Sequence, residues 1–148
     1  MTIVEVVLLS ATDGSLRFRT VSAPLPAGPH PDDLALHLAG LSLCTPGATL
    51  HSTSWRYAAG SVVLTYAALP DPAPHNTSPL SPDRMVIGRA ALAPSPPRVD
   101  ADAVAAHAAR HLALLASTDP IVANAAAAQP DLWDLLAKLP AGPAGALR

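Results

Sequence analysis

Apolar and polar positions alternate with period two along several short stretches. They recur at helical spacing only near residue 34 and after residue 100. Ile3 to Ser10 is apolar on both sides: Ile3, Glu5, Val7 and Leu9 share one face, Val4, Val6 and Leu8 the other. That pattern predicts a central strand covered on both sides. In Leu16 to Ser22, Arg17 and Arg19 alternate with Leu16, Phe18 and Thr20, which predicts an outer strand with one wet face. Thr12-Asp13-Gly14-Ser15 between them supplies the positive φ of a tight hairpin turn. Past a linker at Ala23 to Pro29, Pro31 suits a first helical position, and Asp32 and Asp33 complement the positive helix start. Leu34, Leu38 and Leu41 form its stripe, with His37 beside it, and Cys44-Thr45-Pro46-Gly47 ends the helix.

The chain is then organised around Leu50 to Pro70, two strand-like runs about the Ala58-Ala59-Gly60-Ser61 break. The first run carries most of the polar and aromatic chemistry, from His51 to Tyr57, and the second, Val62 to Tyr66, is the most β-prone stretch. Asp71 to Asp83 is a polar, proline-rich loop, and Arg84 to Leu92 reads as a fifth strand with a bulge at Gly88. Asp100 or Asp102 caps a helix running to about Ser117; a shorter one spans Ile121 to Gln129. A third begins at Pro130 with Leu132, Leu135, Leu136 and Leu139 as its stripe and Trp133 near its edge. The order β-β-α-β-β-β-α-α-α predicts a single α+β domain over 1–148. Its sheet is antiparallel with about five strands, a short helix follows the first hairpin, and two to three C-terminal helices pack on one face. Within it, 1–92 is sheet-rich, 93–99 a proline-rich linker, 100–140 a helical tail and 141–148 a frayed terminus.

Composition narrows the function classes. Nine Lys and Arg against eleven Asp and Glu leave a net charge of −2, without the basic footprint that phosphate neutralisation requires, so no nucleic-acid partner is expected. The single Cys44 excludes an internal disulfide and a multi-cysteine zinc site, and reads as a small hydrophobe. No apolar run spans a bilayer, and the N-terminal stretch alternates like a strand rather than a secretion signal, so no membrane partner and a cytoplasmic setting are expected. With 3% aromatics the core must be built from Ala, Leu and Val, leaving apolar surface that points to a homodimer.

Uninterrupted alternation places His51, Thr53, Trp55 and Tyr57 on one face of the hairpin and Leu50, Ser52, Ser54 and Arg56 on the other. As a pocket floor, Arg56 or His51 would grip an anion and Trp55 would stack a ring. The plainer reading makes Trp55 and Tyr57 core aromatics above a solvated row of hydroxyls. His107 and His111 stand one helical turn apart, facing the sheet. With His51 they could hold a metal, or act as general base, but a buried hydrogen-bonded role is the commoner outcome and no cofactor is implied. GxSxG, GxxxxGK[ST] and GxGxxG are absent. The strand–helix order invites comparison with Nudix hydrolases, whose Mg²⁺ chemistry needs clustered glutamates; this chain has one glutamate, Glu5, in a strand.

The block HSTSWRY followed by SVVLTYAALPDP, and then AVAAHAARHLALLASTDP, resembles a group of uncharacterised proteins from GC-rich bacteria. The resemblance covers about two thirds of the chain and implies a bacterial setting without an activity or site residue. Three functional readings follow. The first is a small protein binding an anionic or aromatic ligand on the hairpin face through His51, Ser54, Trp55, Arg56, His107 and His111. The second is a hydrolase or lyase with a histidine base and Arg56 as anion holder. The third is a structural homodimer without a small-molecule site.

Overall fold

A computed structural model describes residues 1–80 and 101–139. The expected strand at 84–92, the linker at 93–99 and the terminus at 141–148 lie outside the described residues. The fold is α+β. Strands β1 (Thr2–Thr12), β2 (Ser15–Pro24), β3 (Thr49–Ala58), β4 (Ser61–Leu69) and β5 (Ser78–Pro79) form one sheet in the order β3-β4-β1-β2-β5. Three of the four pairings are antiparallel; β1 and β4 run parallel. A parallel neighbour requires a crossover, and helix α1 (Pro31–Ala39) lies in the stretch of chain that makes it.

β1 is central, as its two-sided apolar pattern requires: Val4, Val6, Val7, Leu8 and Leu9 are fully buried. Its even-numbered positions meet α1, where Ala35, Ala39, Tyr66 and Ala68 close a small core. Its odd-numbered positions Val7 and Leu9 join Phe18, Ala67 and Leu69 beneath α2 (Ala101–Thr118), α3 (Pro120–Ala126) and α4 (Pro130–Ala137). The three C-terminal helices thus share one face, and α1 covers the other. α2 is alanine-rich along its buried positions, so it lies close to the sheet.

Both hairpins turn through two residues of positive φ, Asp13-Gly14 and Ala59-Gly60, the backbone that matches the twist of the flanking strands. α1 ends earlier than its leucine stripe suggests. Gly40 adopts the left-handed conformation (φ 63°) and its N–H bonds back to His37 and Leu36, so Leu41 falls outside the helix. The proline-rich loop carries β5, which pairs with Arg17 and Phe18. Two arginines of β2 pin this loop: Arg17 donates to Thr77, and Arg19 donates both ways to the buried Asp71.

Candidate functional site

Thr53 is an extra residue in β3. Ser52 pairs with Tyr66 but Ser54 pairs with Thr65, so a bulge interrupts the alternation in mid-strand. Before it, His51 stands opposite Ala67, on the face covered by the C-terminal helices; after it, Ser54 and Arg56 stand opposite Thr65 and Val63 on that same face. Leu50, Ser52, Trp55 and Tyr57 share the α1 face, opposite Ala68, Tyr66, Leu64 and Val62. The uninterrupted alternation expected from sequence is therefore corrected. His51 joins Arg56 rather than Trp55, and the tryptophan and arginine project from opposite sides of the sheet.

Arg56 does not stand ready for an anion. Its Nη1 donates to Glu5 Oε1 at 2.9 Å and to Thr65 Oγ1 at 3.1 Å, and its Nη2 donates to Glu5 Oε2 at 3.1 Å. The Thr65 hydroxyl donates in turn to Glu5 Oε1 at 2.9 Å. The side chains of Arg56 and Glu5 are only 18% and 15% exposed, and Thr65 is fully buried. A fork-to-fork pair with a bridging hydroxyl engages both carboxylate oxygens and both terminal guanidinium nitrogens. The one glutamate of the chain is held here. Sequence reasoning missed Glu5 and Thr65 as its partners; the usable signal was a lone carboxylate inside an otherwise apolar central strand.

The histidines meet where the helix crosses the sheet. The His51 and His111 rings lie edge to face, with centroids 6.1 Å apart, so α2 does bring an imidazole to the hairpin. His107 and His111 are half-buried. Burial pushes the His107 imidazole below the usual range, helped by the nearby Arg110 charge and by His111. Burial lowers His111 as well, with His51 adding to the effect. Neutral imidazoles are the form that accepts protons or binds metals. No three His, Cys, Asp or Glu side chains among the described residues stand close enough to share a metal ion, so His51, His107 and His111 do not form a ligand set as they stand.

The α1 face of β3 differs in kind. Trp55 is 64% and Tyr57 68% exposed, and their rings meet edge to face at 5.9 Å. The other three aromatics, Phe18, Tyr66 and Trp133, are buried. Tyr66 is anchored by donating to Asp32 of α1, and burial followed by that bond pushes its phenol up. Ser52 beside the exposed pair is also exposed, while Leu50 and Leu64 are partly buried beneath it. The pair is an uncharged aromatic platform on the β3–β4 hairpin.

Away from the hairpin, a cavity of about 430 Å³ follows β2 between Phe18 and Val21, with His75, Asn76 and Asp102 in its wall. Arg19 also lines it, but the Asp71 carboxylate already holds that guanidinium and raises its pKa. None of the six hairpin and helix residues singled out from sequence lines this cavity. His51, Ser54, Arg56, His107 and His111 belong to the helix-covered face, and Trp55 to the open one.

No helix among the described residues is long and apolar enough to cross a membrane. Comparison of the chain with protein-family models, with curated proteins and with solved structures finds no match, so the candidate site stands on its own geometry.

Proposed function

We propose that the protein is a binding module that takes an uncharged, ring-bearing ligand on the α1 face of the β3–β4 hairpin. One observation carries the reading: in a chain with five aromatic residues, two stand exposed side by side on the same strand. Exposed tryptophan and tyrosine offer large flat surface with little side-chain entropy to lose, which is why such pairs serve as stacking platforms. The anionic version of the ligand loses its support, because the guanidinium intended for it is satisfied by Glu5 and faces the other way. The hydrolase or lyase reading loses the same group as anion holder.

The test uses the two indoles as reporter and control. Titration with benzyl alcohol or with phenyl phosphate, followed through the indole N–H resonances, should shift Trp55 and leave the buried Trp133 in place. Phenyl phosphate should bind no more tightly than benzyl alcohol, and Tyr57→Ala, which keeps the Trp55 reporter, should weaken the response to both. A Trp55 resonance unmoved by either probe at millimolar concentration would overturn the reading, as would a clear preference for the phosphate that Arg56→Ala removes.

A further inference from the structure

The two margins of the sheet are unlike. One ends in β5, two residues long and containing Pro79, which offers a new strand almost nothing to pair with. The other is β3, ten residues long, and no described residue pairs with its outward row of N–H and C=O groups. Proteins usually blunt such an edge with lysine, proline, an inward-pointing charge or a bulge, and β3 carries a bulge of one residue at Thr53. β3 has no lysine and no proline, and its one arginine is already neutralised by Glu5. An extended edge of this kind is chemically complementary to another extended strand.

The bulge sets the register such a pair would take. A regular strand matches its own reverse only when the symmetry axis passes through a residue. In β3 the extra Thr53 moves that axis to the point between Thr53 and Ser54. Reading outward from the Thr53–Ser54 junction, Ser52 and Trp55 share the α1 face, His51 and Arg56 the helix-covered face, Leu50 and Tyr57 the α1 face, and Thr49 and Ala58 the helix-covered face. The pattern is a palindrome about the centre of the strand. Residues directly opposed in an antiparallel pair must lie on the same face. All of these pairs satisfy that condition when β3 meets a second β3 about a two-fold axis at its centre.

We infer that β3 is a homodimer edge: two copies of the chain join β3 to β3 antiparallel, with Ser52 opposite Trp55 and Leu50 opposite Tyr57 of the second copy. The product is a continuous sheet with a two-fold axis, the commonest symmetry of soluble oligomers. It carries four aromatic rings side by side on one face, between the two α1 helices. Each tryptophan and tyrosine covers a smaller neighbour across the seam, the kind of contact in which these residues are enriched at interfaces. His51 falls opposite Arg56 of the second copy on the other face. The inference rests on the edge and its register, not on the ligand reading above.

Sedimentation velocity of the full chain over a range of concentrations tests the state, and cysteine pairing tests the register. With Cys44→Ser as background, Ser52→Cys and Trp55→Cys proteins should each stay largely uncrosslinked alone. Mixed and oxidised, they should give the covalent dimer, because only the mixture puts a thiol opposite a thiol. Ser52→Lys, an exposed change that leaves the core untouched, should shift the protein from dimer to monomer. The inference is overturned by a chain that is monomeric at every soluble concentration, by a dimer that Ser52→Lys leaves intact, or by crosslinking no greater in the mixture than in either protein alone. A monomer whose Trp55 resonance still responds to benzyl alcohol would sink the dimer while leaving the binding module standing.

Discussion

The two faces of β3 are built from adjacent residues yet follow opposite rules. On the helix-covered side the charged group has been given partners and one imidazole a neighbour: Arg56 has Glu5 and Thr65, and the His51 ring meets His111. On the α1 side Trp55 and Tyr57 have mainly each other. Polar type alone would have made the first side the site. Partnering reverses that choice, since a charge satisfied by a carboxylate and a hydroxyl has little left to offer a ligand, whereas an exposed ring pair still has unburied area. The single bulge residue Thr53 is what separates the two sets.

The largest test of this contrast removes Glu5. Glu5→Ala leaves a guanidinium mostly shielded from water without its counter-charge, and breaking such a pair costs about 3 kcal/mol. Urea unfolding should show that loss in the midpoint. Replacing both partners, Glu5→Leu with Arg56→Met, should recover most of it, because two apolar groups of similar volume leave no charge unpaired. If Glu5→Ala were as stable as the parent and bound phenyl phosphate no better, the pair would be neither structural nor a shield over the arginine.

How far the sequence carried follows from the range of each interaction. The central burial of β1, the turns at Asp13-Gly14 and Ala59-Gly60, and the helix starts at Pro31, Pro120 and Pro130 rest on neighbouring residues, and pattern reading finds them. The α+β class follows from their order. Three features depend on distant parts of the chain. The parallel pairing of β1 with β4 joins segments about sixty positions apart. Arg56 meets Glu5 across 51 positions, with no local signal to link them. The bulge was hidden by the assumption of strict alternation, and with it the sorting of His51, Arg56 and Trp55 between faces. The end of α1 was legible in Gly40, but the leucine at 41 prolonged the apparent stripe past it.

A smaller effect should come from the histidines of the closed face. His107 and His111 have lowered pKa values in the folded protein, first through burial and then through neighbouring positive charge. The unfolded chain titrates them near the ordinary value of about 6.5. Above that pH they are neutral in both states and cost nothing. As pH falls through it, the unfolded chain takes up protons that the folded chain refuses, so stability drops until the lowered folded values are passed. Thermal unfolding between pH 8 and pH 5 should show an acid limb that flattens in His107→Gln and in His111→Gln. An unchanged limb in both variants would mean that α2 meets the sheet without protonation linkage.

The smallest stability effect, and the sharpest contrast with Glu5, belongs to the open face. Trp55 and Tyr57 are nearly two-thirds or more exposed, so truncating either removes little buried area. Substitutions at such positions usually change stability by about 0.5 kcal/mol or less. Trp55→Ala and Tyr57→Ala should therefore unfold at nearly the parental urea midpoint, while Tyr57→Ala loses most of the Trp55 response to benzyl alcohol. A stability loss comparable to that of Glu5→Ala, measured below the concentration at which the chain self-associates, would show that the rings support the hairpin itself. The same loss appearing only at high protein concentration would instead place the rings in the β3–β3 seam, because stability drawn from a second copy rises with concentration. The two outcomes separate a platform that serves the fold from one that serves a partner.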